Sequence, residues 1–196
     1  MRLSKSILLV TVLLSAITPA FSAIVFEESA SSDLSGSGSS PTVIALTAGS
    51  NQIFGSTGRD GSNVVDRDYF TINLPANLQL TSITLLPNST SGNLSFIGIQ
   101  AGNQVTLATN TTTASGLLGW WHYSPSDINT DLLSKSSIAS NGSSGFTPPL
   151  GSGDYAFWVQ DSSPGLFNYG LDISVSQVPL PGAVVLFLSG LGLIGR

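Results

Sequence analysis

The sequence predicts an all-β chain, an antiparallel β-sandwich of about nine strands with a jelly-roll-like layout, and three observations predict it. Charged residues are only 9% of the chain while Gly, Ser, Thr and Asn crowd it, a composition of strands and turns. Apolar residues fall in short runs, several of them strictly alternating, each bounded by Gly, Pro, Asn, Asp or Ser. No segment repeats at a period of about 20 to 50 residues, which disfavours solenoids and propellers.

The predicted strands are 24–28, 42–47, 52–56, 69–74, 79–86, 94–100, 104–108, 155–160 and 169–175. Alternation is clearest around Ile83 and Leu85, which share one face. It recurs where Leu171, Ile173 and Val175 share a face opposite Asp172 and Ser174. Those two apolar faces are expected to meet in the core. Residues 29–40 are Ser/Gly-rich and read as a mobile loop. Residues 124–150 hold the helix-compatible stretch PSDINTDLLSK, with Asp127 as its expected cap.

Three segments follow: a signal peptide at 1–23, a sandwich domain at 24–176 and a tail at 177–196. The first has basic Arg2 and Lys5, an apolar stretch from Ile7 to Leu14, and small residues Ala20, Ser22 and Ala23 that offer a signal peptidase its site. Export is therefore expected. The domain holds three basic residues, Arg59, Arg67 and Lys135, against all eleven acidic ones, which excludes nucleic acid as a partner. With no cysteine, disulfides and thiolate metal sites are excluded, and stability must come from the core.

In the tail, Val178, Pro179, Leu180, Pro181 and Gly182 precede the run AVVLFLSGLGLIG and Arg196. As a helix that run reaches about 20 Å, short of the roughly 30 Å hydrocarbon core, so it is a weak anchor. The order of short motif, apolar helix and positive end is that of a transient stop during translocation. These residues resemble the PEP-CTERM sorting tail in its VPLPA-type variant, with Leu180 where the family usually has glutamate and a lone Arg196 where it has several arginines. The resemblance implies a Gram-negative bacterium that makes extracellular polysaccharide. It also implies an exosortase acting near Pro179 to Pro181 while the inner membrane holds the chain transiently, and a final location at the cell surface, in the extracellular matrix or in a biofilm.

Within the domain, Asp66, Asp68, Tyr69 and Phe70, with Gly153, Tyr155, Phe157 and Val159, resemble the two strand blocks of the bacterial pre-peptidase C-terminal (PPC-like) β-sandwich. That resemblance implies an accessory or binding module and no catalyst. The densest polar cluster, Asp60, Asn63, Asp66 and Asp68, could wrap a hard cation such as Ca²⁺. Arg67 competes for the same carboxylates, and an ordinary turn with surface ion pairs is the other reading. Trp120, Trp121 and Trp158 are candidate stacking platforms for sugars, weighed against core packing; adjacent Trp120 and Trp121 would face opposite sides of a strand.

No enzyme is expected, and no cofactor beyond that Ca²⁺. His122 is the single histidine, and G-x-S-x-G, a phosphate-cradling loop and a dinucleotide fingerprint are all missing. Asn-x-Ser/Thr triplets at Asn88, Asn93, Asn110 and Asn141 are what chance supplies in such a composition. The expected role is a structural or adhesive one at the cell surface; the alternative is a carbohydrate-binding module for exopolysaccharide.

Overall fold

The computed structural model describes residues 22–59, 61, 63–92 and 95–179. Nine strands occur among them: β1 (Ser22–Glu27), β2 (Thr42–Val43), β3 (Gly49–Arg59), β4 (Val65–Leu74), β5 (Leu78–Leu85), β6 (Phe96–Ala101), β7 (Gly119–His122), β8 (Gly153–Gln160) and β9 (Gly165–Gln177). The protein is all-β and sandwich-like, and its only α-helix among these residues is the single turn α1 (Leu132–Ser136). No described helix is long and apolar enough to cross a membrane. The signal segment up to residue 21, and the apolar helix expected of the tail, lie outside the described residues. β1 begins at Ser22, two residues inside the segment assigned to the signal.

All nine strands belong to one sheet whose main path runs β5-β9-β3-β4-β8-β6-β7. It folds into two layers at the β3–β4 hairpin. Those two strands pair only next to the turn, Gly58 with Asp66 and Arg59 with Val65, and then splay. Each freed edge gains a short parallel partner: β1 runs along β3 from Ser22↔Ser50 to Glu27↔Phe54, and β2 meets β4 at Thr42↔Phe70 and Val43↔Thr71. The expected antiparallel sandwich thus carries two parallel pairs, because the splay leaves backbone groups that must find partners.

The inner faces of both layers interlock. Ile53, Phe70, Ile72, Leu80, Ile83, Leu85, Ile97, Ile99, Phe157, Val159, Leu171, Ile173 and Val175 are buried in one cluster. Ile83 and Ile173 sit directly opposite each other across β5 and β9, and the Phe70 and Phe157 rings stack at 4.8 Å. Outer positions of β4 and β8 form a second, smaller cluster of Tyr69, Val105, Ala156 and Trp158, with Phe96 and Leu107 packed on it.

Several elements differ from expectation. Residues 104–108 form no strand: Val105 bonds through its N–H to the Gly38 carbonyl and packs with Leu107 over the outer cluster. Their alternation reflects a loop laid on a sheet. β7 takes the place in the count, a four-residue strand too short to show a period. The Ser/Gly-rich loop is pinned at its centre, where Leu34 is buried in the core and Ser35 bridges to Tyr69. The helical stretch splits into a 3-10 turn at Pro125–Asp127 and α1. The cap of α1 is Asp131, whose carboxylate accepts from the N–H groups of Leu133 and Ser134. Asp127 instead accepts from Ser124 N and pairs with Lys135.

Candidate functional site

Asp68 lies on the inward face of β4, opposite Val159 of β8, and is fully buried. Its Oδ2 accepts a 2.7 Å hydrogen bond from the Tyr169 hydroxyl of β9, while Oδ1 is buried with no hydrogen-bond partner. Gly55 of β3 makes room for this contact, since a Cβ there would come within 2.5 Å of the Tyr169 oxygen. Two more carboxylates converge on Asp68. Glu28 follows β1, and its Oε2 and Oε1 are held by the N–H groups of Ser56 at 2.7 Å and Leu34 at 3.1 Å. Asp33 comes from the pinned loop and is exposed. One oxygen from each of Glu28, Asp33 and Asp68 lies within 4.8 Å of the other two.

The electrostatics match this crowding. Burial, then the neighbouring Glu28, pushes the Asp68 carboxyl up to about 9, against the pull of the Tyr169 hydrogen bond. Burial also raises Glu28, over the opposing effect of its two backbone hydrogen bonds, and Asp33 raises it further. The charged groups that act most on Asp68 are Glu28, Asp66 and Asp33, all carboxylates. The arginines nearest in sequence point elsewhere: Arg59 Nη1 donates to Asn63, and Arg67 donates through Nε to Gln160 and through Nη1 to the Val65 carbonyl. A cavity of about 730 Å³ lined by Glu27, Glu28, Asp33, Ser56, Asn168 and Tyr169 opens the Glu28 and Asp33 side of the cluster to solvent.

Of the three cation candidates among the described residues, Asn63, Asp66 and Asp68, only Asp68 joins this site. Asn63 is exposed in the hairpin at a positive φ of 69° and accepts from Arg59. Asp66 is half-buried beside the turn, and Asp60 lies outside the described residues. Sequence reasoning missed Glu28 and Asp33 because they stand far from Asp68 along the chain. The one available signal was the adjacent Glu27 and Glu28 at a strand end in a chain so poor in charge.

The three tryptophans separate. Trp158 is 4% exposed, stacked on Tyr69 at 5.7 Å and met edge-on by Phe96 at 5.1 Å, so it is a packing residue of the outer cluster. Trp120 and Trp121 are both half-buried on β7 and point to opposite faces. Trp120 packs on Phe96 and donates to the Ser140 carbonyl, while Trp121 packs on the core beneath Lys135, whose Nζ stands 5.6 Å from the ring. β7 ends the sheet path, so a cleft along it touches both. Trp120, Trp121, His122, Lys135, Ile138 and Ser140 line about 390 Å³ there. Of the tail motif, Val178 and Pro179 are described, with the Val178 N–H on the Asn77 carbonyl at 2.9 Å; Leu180, Pro181 and Gly182 lie outside the described residues.

No protein-family model, curated protein or solved structure matches this chain.

Proposed function

We propose that this chain is an exported cell-surface or extracellular-matrix protein with a structural or adhesive role. In this reading a signal peptidase removes the N-terminal segment, and an exosortase processes the motif at 178–182 while the apolar tail holds the chain at the inner membrane. The observation that carries it is where the flanks attach. Ser22 at the start of β1 sits beside Ser50 of β3, which sits opposite Ser174 near the end of β9, so both flanks join the same end of the sandwich. The β4–β5 turn, from Leu74 to Leu78, lies at that end as well, and Asp68 stands six residues further along β4, about 20 Å away. A domain tethered by its tail would present the acidic cluster and the β7 cleft away from the membrane. The jelly-roll layout and the tail's membrane helix belong to the same proposal.

The domain is read as non-catalytic. His122 Nδ1 lies 3.1 Å from the carbonyl oxygen of Ser95, while the Ser95 hydroxyl is bound to Asp161, so Ser95 is not poised as a nucleophile against the single imidazole. The second reading, a carbohydrate-binding module, is favoured by the aromatic lining of the β7 cleft. It expects saturable glycan binding that is lost in Trp120→Ala or Trp121→Ala.

The test of sorting is the intact mass of the full chain expressed with and without an exosortase. Cleavage near Pro179 to Pro181 only where the enzyme is present is the expected result. An uncut tail in both hosts sinks the assignment.

A further inference from the structure

We propose that Glu28, Asp33 and Asp68 together bind one calcium ion at the end of the sandwich remote from the chain's two flanks. Three acidic side chains are no site by themselves; the observation that points to a ligand is Asp68 Oδ1. This atom is buried and has no hydrogen-bond partner, although it belongs to a residue with no exposed surface. As a carboxylate it is a buried charge among other carboxylates, and as an acid it has no acceptor for a proton on that oxygen. A cation satisfies it in a way that neither protonation state does.

The remaining geometry is that of a ligand set. Each Glu28 oxygen already accepts one backbone N–H, and Oε2 also accepts from the Ser56 hydroxyl at 3.4 Å, which fixes the carboxylate and leaves a lone pair on Oε1. Three oxygens within 4.8 Å of one another leave room for one ion at about 2.3 to 2.6 Å from each, the calcium–oxygen distance. An all-carboxylate set without nitrogen or sulfur selects a hard ion over zinc or copper. Calcium tolerates ligands from three separate pieces of chain better than magnesium, which demands near-ideal octahedral geometry. Asp33, exposed on the pinned loop, lines the cavity together with Glu28. The bound ion would tie the end of β1 and the loop to β4.

The experiment is calorimetric titration of the full chain, stripped with EDTA, with CaCl₂ and separately with MgCl₂. It is run near neutral pH, with thermal unfolding followed in parallel. One saturable Ca²⁺ site is expected, with Kd of about 10⁻⁴ to 10⁻³ M, the range of extracellular modules, together with a raised Tm. Asp33→Asn, an exposed change that leaves the core intact, is expected to weaken binding about tenfold or more. No Ca²⁺ heat or Tm change up to about 10 mM overturns the proposal, as does an Asp33→Asn chain that binds like the parent. Equal affinity for Mg²⁺ overturns the assignment of the ion.

Discussion

Asp68 shows what one side chain can impose on the whole stability curve. Its carboxyl titrates at 3.8 when the chain is unfolded and at about 9 when folded without a cation, because burial and then Glu28 oppose its charge. Between those values the native state holds a proton that the unfolded chain has lost, so stability falls as pH rises through this window and levels off above about 9. Urea midpoints in EDTA should therefore decline from mildly acidic to mildly alkaline pH, and Asp68→Asn should flatten the decline. Asp161 works in the opposite sense. Burial pushes it up, but hydrogen bonds from Ser95, Ser163 and Gly92 outweigh this and hold it below 3.8, so its contribution is present above that value and lost as pH falls further. In the core, Phe157 is fully buried and stacked on Phe70. Phe157→Ala should cost about 3 to 5 kcal/mol in chemical denaturation, since both the apolar transfer and the cavity count against it.

Among the elements, α1 is too short to persist alone and depends on one carboxylate. Asp131 Oδ1 accepts from Leu133 N inside the helix and also from Ile83 N of β5, so the cap doubles as the helix's tie to the sheet. Asp131→Ala should destabilise by about 1 to 2 kcal/mol, the cost of a lost cap, while Asp131→Asn, which keeps an acceptor, should lose less. A glycine governs β7 in the same way. A Cβ on Gly119 would stand 1.8 Å from the Ser136 carbonyl oxygen, so Gly119→Ala must push β7 away from the end of α1. The fluorescence of Trp120 and Trp121 should shift in that variant even where the domain stays folded. These same elements show where the sequence could be read. β5 and β9 carried their period of two openly, because one face of each is core and the other is polar. β7 did not, because four residues are too few to show a period and both of its tryptophans are half-buried.

For the whole molecule, the splay of β3 from β4 converts one sheet into two layers, and the end at which it begins carries the acidic cluster. The opposite end carries both flanks. This polarity leads us to expect that a chain tethered through its tail exposes Asp33 and the β7 cleft to solvent. Accessibility to water-soluble carbodiimide on intact cells, and its loss in Asp33→Asn, is the measurement. The sequence by itself determined the all-β class, the inward faces of β5 and β9, the acidic charge, and the motif at 178–182, all of which are local patterns of polarity, size and turn residues. Only the tertiary structure decided that residues 104–108 cover a sheet instead of joining it, that Trp158 is packed away, and that Glu28 and Asp33 are brought to Asp68. The physical reason is that strand period and turn chemistry are written within a few residues. Which strand edges pair after a hairpin splays, and which carboxylates are forced together at its end, depends on contacts between segments dozens of residues apart.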